Sequence, residues 1–171
     1  NIQLYTNSAT IEPLRELSRA HGYDADSLIE VLSAQLAASN AGDYFAVLAY
    51  LNPTPDIDDD LRTIQRRLRH VTRRAVTIGY GPRYLHSTGQ LHKGGANSGI
   101  FFLITADPTD DIDIPDTPYS FGTLFAAQAL GDIHAMHSRN RRIFRLHLTG
   151  NVRDGLRKLM AAIEFVEERR Q

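Results

Sequence analysis

The residues best able to do chemistry lie in one stretch, Gly79-Tyr80-Gly81-Pro82-Arg83-Tyr84-Leu85-His86-Ser87-Thr88-Gly89-Gln90-Leu91-His92-Lys93-Gly94-Gly95. It sets an imidazole, hydroxyls, an amide and a cation among glycines, which let backbone approach a ligand closely. Histidine is the side chain that titrates near neutrality, so His86 can move a proton at neutral pH. Free N–H groups near a helix start suit an anionic or polyhydroxyl ligand. Gln90 can orient hydroxyls or the imidazole, or simply cap a helix. Lys93 can contact substrate oxygens, hold the loop, or be an ordinary surface lysine. Arg83 follows a Gly-Pro turn and can bind an acidic group or pair with backbone. The plainer alternative for the whole stretch is a glycine-rich turn with a hydrogen-bonded histidine.

Other candidates carry less. His134 and His137 have the i, i+3 spacing that can chelate a metal on a helix, but no third ligand is evident and a solvated face is expected. His147 interrupts an apolar run and reads as a satisfied buried or edge histidine. The arginines at 62, 66, 67, 69, 73 and 74 surround an apolar stripe without interleaved aromatics, which points to a solvated or domain-facing helix rather than nucleic-acid binding. The basic residues are seventeen arginines and two lysines, Lys93 and Lys158. A formal charge of −1 gives no global pull toward nucleic acid or anionic membrane. The absence of cysteine excludes disulfides, thiolate nucleophiles and zinc–thiolate sites, and is compatible with a reducing cytoplasm. No apolar run reaches the length of a membrane span, and the expected location is cytoplasmic. The chain opens at Asn1 without methionine, as expected of a fragment or processed product.

The elements that position these residues follow from hydrophobic patterning. Residues 10–39 read as helices, with Leu14, Leu17, Leu28, Ile29, Leu32 and Leu36 at three- and four-residue spacing and Gly22 between two segments. Thr10 and Pro13 suit a helix start. Residues 1–41 are therefore expected to form a helical segment packed on a domain spanning 42–171. Tyr44 to Leu51 is a continuous apolar run ended by Asn52-Pro53, as in a strand covered on both faces. Asp58, Asp59 and Asp60 then open a helix whose stripe is Leu61, Ile64, Leu68 and Val71. Further strands are expected at Ala75–Gly79, Ile100–Ile104 and Ile143–Leu148, with helices near Phe121–His137 and Val152–Glu168. Apolar strands alternating with helices predict an α/β three-layer sandwich, with a mainly parallel sheet of four or five strands flanked by helices. The polar loop Asp107–Pro118 leaves a strand at the carboxyl end of that sheet, where open α/β folds place ligands.

Three runs, YGPRYLHSTGQLHKGGANSG, DIPDTPYSFGTLFAAQALGD and RRIFRLHLTG, carry a family resemblance, supported by AGDYFAVLAYL and the opening IQLYTN. Together they resemble the phosphoglucose isomerase half of transaldolase–phosphoglucose isomerase fusions, specifically its second sugar-isomerase (SIS-like) domain. The likeness covers nearly the whole chain, and HSTGQ-x-x-KGG is its most specific part. His86 followed by Gln90 also resembles the His-x-x-x-Gln of ordinary phosphoglucose isomerases. The resemblance implies interconversion of glucose 6-phosphate and fructose 6-phosphate, without a cofactor or metal. It implies His86 as the catalytic group that opens the sugar ring, with Ser87, Thr88, Gln90 and Lys93 binding substrate. His92-Lys93-Gly94 falls one residue earlier than the family's second histidine, which weakens any role for His92. Lys158 stands roughly where family members carry a functional lysine, but GLRKL lacks the surrounding pattern.

The family's base for C2/C1 proton transfer is a glutamate. The six glutamates here, Glu12, Glu16, Glu30, Glu164, Glu167 and Glu168, lie on terminal helices and match no such motif. The serine/threonine cluster that grips the phosphate belongs to the other sugar-isomerase domain. The expected partners are thus a sugar phosphate, that missing first domain and a transaldolase barrel in the same parent chain, with a homo-oligomer also open. On this reading the segment forms one wall of a composite site and is inactive alone. The alternatives are a non-catalytic phosphosugar-binding module or a scaffold.

Overall fold

The computed structural model describes residues 1–5, 12, 15, 16, 18–20, 28–37 and 39–168. Thr10, Pro13, Leu14, Leu17 and Gly22 lie outside the described residues. In chain order the elements are β1 (Ile2–Tyr5), α1 (Leu28–Ala37), β2 (Tyr44–Tyr50), α2 (Pro55–Thr72) and β3 (Ala75–Tyr80). A single 3-10 turn (Arg83–His86) and α3 (Gly89–Gly94) follow. The chain continues through β4 (Gly99–Ala106), α4 (Phe121–His137), β5 (Arg142–Leu148) and α5 (Val152–Glu168).

The strands form one five-stranded sheet in the order β1-β5-β4-β2-β3. β3, β2, β4 and β5 run parallel, in registers that set Phe45 beside both Val76 and Ile100, and Phe102 beside Phe144. Covering both faces requires near-continuous apolar strands, which is why β2 and β4 lack the in/out alternation of a half-exposed sheet. The expected α/β architecture of a mainly parallel sheet between helices is what the chain forms.

Two local expectations change. β1 pairs antiparallel with β5, Ile2 opposite Leu148 and Tyr5 opposite Arg145, so the first residues belong to the sheet rather than to a helical arm. Nothing local announces a four-residue edge strand, because its partner lies at the far end of the chain. Helix α2 opens before the aspartate run: Thr54 is the N-cap, its hydroxyl accepts from the Ile57 N–H at 3.3 Å, and Pro55 takes the first turn. Asp56 and Asp58 then face the positive end of the dipole.

The two faces of the sheet are covered unequally. On one, α1, α2 and α5 bury a large core including Leu36, Leu61, Ile64, Leu68, Phe102, Phe144, Leu156 and Ile163. An Arg67–Glu164 ion pair and a His70–Glu167 contact at 3.1 Å tie α2 to α5, which is where part of the arginine face goes. On the other face a smaller core of Ala46, Leu48, Tyr50, Tyr84, Phe101, Leu103, Ala129, Met136 and Ile143 lies beneath the 3-10 turn and α4. At the amino end of the sheet, Arg142 holds Asp43 with two hydrogen bonds of 2.7 and 2.9 Å, and this pairing keeps the Asp43 carboxyl below its usual range.

The strand order fixes where ligands can enter. The chain leaves β2 toward β3 on one side, then returns past β2 to add β4 on the other. β2 and β4 are therefore neighbours with diverging connections, the switch point of an open α/β sheet.

Candidate functional site

The segment singled out by sequence leaves β3 at its carboxyl end. Gly81 comes first, its N–H bonded to Ala49 O at 3.0 Å. A Cβ at Gly81 would strike the Tyr50 ring, so glycine is required there by close approach. Gly81→Ala is expected to cost about 1–3 kcal/mol as an overpacking change. A denaturation midpoint equal to wild type would show that the Tyr50 ring gives way freely.

Beyond Gly81 the segment is anchored from below. Tyr84 is buried, and its hydroxyl donates to Asp132 Oδ2 on α4. The Lys93 ammonium meets the other oxygen, Oδ1, as a charge contact rather than an aligned hydrogen bond. Burial pushes the Asp132 carboxyl up to about 6, while the ammonium against it favours the charged form. His92 is buried, stacks on Tyr44 with ring centroids 5.8 Å apart, and shares a 3.0 Å hydrogen bond between Nδ1 and the Tyr44 hydroxyl. Burial lowers the His92 pKa, so its imidazole stays neutral. Arg141 clamps the end of α3, donating from Nη2 to Lys93 O at 2.8 Å and Gly95 O at 2.7 Å.

The groups expected to act face the other way. His86, Ser87, Thr88 and Gln90 are all exposed. Ser87 Oγ donates back to Tyr84 O at 3.2 Å, and Thr88 occupies the N-cap position of α3 without capping it through its side chain. The His86 side chain has no hydrogen bond or ion pair among the described residues. The predicted set is thus split. His86, Ser87, Thr88 and Gln90 present polar atoms to solvent, while Lys93 spends its charge on Asp132 and holds the loop.

A separate cleft of about 1020 Å³ opens across the carboxyl ends of the strands at the switch point. Gly81, Pro82 and Arg83 line its edge, so the segment begins at the cleft, but His86, Gln90 and Lys93 do not line it. Its polar side is a chain of contacts. Arg145 Nε donates to Thr105 Oγ1 at 3.0 Å, Thr105 Oγ1 lies 2.9 Å from His147 Nδ1, and His147 Nε2 is 3.3 Å from Asp107 Oδ1. Tyr50 also lines the cleft, with a buried hydroxyl that has no hydrogen-bond partner among the described residues. Burial, and then the Asp132 carboxylate, push that phenol's pKa upward, so it remains a neutral donor.

Sequence reasoning missed Tyr50, Thr105 and Arg145. For Arg145 the available signal was period two in β5, where Arg145 and His147 share one face of a strand whose other face carries Phe144, Leu146 and Leu148. Among the remaining candidates, Arg83 lies over the Tyr80 ring at 5.4 Å, and Lys158 bonds Asn1 Oδ1 at 3.1 Å on the surface. His134 is exposed and His137 half-buried, and among the described residues no three metal-binding side chains gather. No described helix is long and apolar enough to cross a membrane.

No family model matches the sequence, and no curated protein matches it. Among solved structures, a hypothetical protein from Thermus thermophilus is similar, with a TM-score of 0.70 at 16% identity. The match covers 95% of this chain and 45% of that one, so the chain spans less than half the length of this structural neighbour. At this identity the likeness is one of fold: both share an α/β domain with a mainly parallel sheet between helices.

Proposed function

We propose that the chain is the second sugar-isomerase domain of a cytoplasmic phosphoglucose isomerase fused to a transaldolase, and that it supplies one wall of a composite active site. The observation that carries this reading is the contrast within residues 84–95. Tyr84, His92 and Lys93 are locked by Asp132, Tyr44 and Arg141, while the His86 imidazole stands exposed on that scaffold. Fixing a general acid on a rigid support while leaving its functional face open suits a site completed by another domain.

In the proposed reaction, His86 donates a proton to the ring oxygen of glucose 6-phosphate as the C1–O5 bond breaks and the anomeric hydroxyl releases its proton to solvent, and Ser87, Thr88 and Gln90 contact sugar hydroxyls. The open-chain aldose then gives its C2 proton to a base on the other domain to form an enediolate; a proton returns to C1 and the O2 hydroxyl proton passes to O1, which gives fructose 6-phosphate. No cofactor or metal is needed for these proton transfers. The ligand is a sugar phosphate, the protein partners are the first sugar-isomerase domain and the transaldolase barrel, and neither nucleic acid nor membrane takes part.

The isolated chain is therefore expected to show no glucose 6-phosphate isomerisation in a coupled assay, while the full natural polypeptide turns over. Robust turnover by the isolated chain would refute the composite site. A second reading, a phosphosugar-binding module without chemistry, is favoured by the wide cleft beside Arg145 and Tyr50. Calorimetric titration with glucose 6-phosphate separates the two: tight binding by the isolated chain supports the module, and negligible binding supports the half-site.

A further inference from the structure

Between Asp60 and Asp107 the chain carries no acidic residue, yet that stretch holds seven arginines and Lys93. Two of these charges are matched from elsewhere, Arg67 by Glu164 and Lys93 by Asp132. Arg62, Arg66, Arg69, Arg73 and Arg83 are exposed and make no ion pair among the described residues. The first four stand at i, i+4, i+7 and i+11, one row along α2 that ends at its C-cap. Gln65 locates the row. Its side-chain amide donates to Val76 O on β3 at 2.7 Å, and Arg62 and Arg69 lie one turn to either side of it. Arg83, over the Tyr80 ring, adds a charge at the far end of β3.

The strand beside this row is an open edge, the last of the sheet. The Gly81 N–H turns inward to Ala49 O, and backbone groups alternate sides along a strand, so those of Val76, Ile78 and Tyr80 point away from β2. Gln65 takes the Val76 carbonyl, and among the described residues no bond reaches the outward N–H and C=O groups of Ile78 and Tyr80. An unpaired edge accepts another extended chain, and the charges beside it select which one. The arginine row repels the same edge of a second copy and attracts a strand bearing carboxylates. Successive arginines rise by ~5–6 Å along the helix, close to the ~7 Å between same-face residues of a strand. A nucleic acid would use the charges but not the strand edge. None of the exposed large apolar side chains among the described residues lies on α2 or β3. The surface therefore lacks the apolar core of a permanent domain contact and suits reversible binding of a separate protein.

We propose that β3 and the arginine row form a docking edge for an extended segment of a separate protein, acidic at alternate positions, which adds beside β3 as a further strand. The proposal does not rest on the catalytic reading, and its test contains no activity measurement. The probe is a fluorescent peptide of about ten residues alternating glutamate with threonine, long enough to span β3. Anisotropy should show saturable binding to this chain that weakens with added salt. Arg66→Glu and Arg69→Glu should each weaken binding by about tenfold or more with an unchanged circular dichroism spectrum, and Arg157→Glu, on α5, should not. Amide hydrogen exchange at Ile78 and Tyr80 should slow on binding, and the same peptide with N-methylated backbone should not bind. Absence of binding at low salt would overturn the proposal. So would equal weakening by Arg157→Glu, unchanged exchange at Ile78 and Tyr80, or binding of the N-methylated peptide. Displacement of the peptide by equimolar single-stranded RNA would give the row to nucleic acid, and failure of the full natural polypeptide to bind would show the edge filled from within the parent chain; either overturns the proposal. The exchange and N-methylation measurements use the unmutated chain and decide the matter even if an arginine variant misfolds.

Discussion

Replacing Asp132 by Ala is expected to destabilise the fold by about 3 kcal/mol at neutral pH, the lower end of the range for breaking a buried ion pair. The loss has two sources. The Tyr84 hydroxyl loses the acceptor for its buried hydrogen bond, and the Lys93 ammonium is left without its counter-charge. Lys93 keeps part of its surface in water, which holds the cost below the upper end of that range. Asp132→Asn keeps an acceptor for Tyr84 and should fall between wild type and Asp132→Ala in urea denaturation. Equal midpoints for Asp132→Ala and wild type would mean that the network does not anchor the segment.

The same carboxyl gives a pH signature. Its folded pKa, raised by burial to about 6, lies above the value of about 4 expected of an unfolded aspartate. Folding therefore takes up a proton in that window. The stability gained from protonating this group is full below pH ~4 and is lost as pH rises through ~6, whereas the Tyr84 hydrogen bond and the Lys93 contact persist at neutral pH. The amide introduced by Asp132→Asn cannot titrate, so the stability of wild type relative to that variant should decline across the interval. A flat difference would mean that the Lys93 contact cancels the effect of burial.

His86→Ala in the full natural polypeptide is expected to lower isomerase turnover by roughly 10²–10⁴-fold, the usual contribution of one general acid. Stability should not change, because His86 is exposed and its side chain makes no described contact that the substitution would remove. That separates it from Lys93→Met, which should lower stability and turnover together by releasing the Asp132 anchor. Wild-type turnover for His86→Ala would remove the residue from the mechanism.

Strand identity was largely legible, because strands covered on both faces must be apolar along their whole length, as Tyr44–Tyr50 and Gly99–Ala106 are. The stripe Leu61, Ile64, Leu68 and Val71 likewise reads directly as one helix face, and all four residues are buried. What escaped depends on partners distant in sequence. β1 becomes a strand only because β5 offers it an edge. Lys93 could be read as a substrate contact until the fold brought Asp132, far along the chain, against it. The uneven covering of α4 was also invisible, because only the packing shows that Ala129, Asp132 and Met136 are buried while Leu124, Ala127 and Leu130 are exposed.

The His86 segment remains the centre of the proposed chemistry, now with a division of labour between outward-facing groups and the residues that hold them. The most direct test compares two substrates in the full polypeptide carrying His86→Ala. Glucose 6-phosphate must be opened before it reacts, whereas a tetrose 4-phosphate, its C4 oxygen esterified, cannot close a furanose ring. A ring-opening role predicts a large loss of turnover on glucose 6-phosphate with solvent proton exchange at C2 of the tetrose phosphate largely preserved. Equal losses on both, or no loss on either, would contradict it.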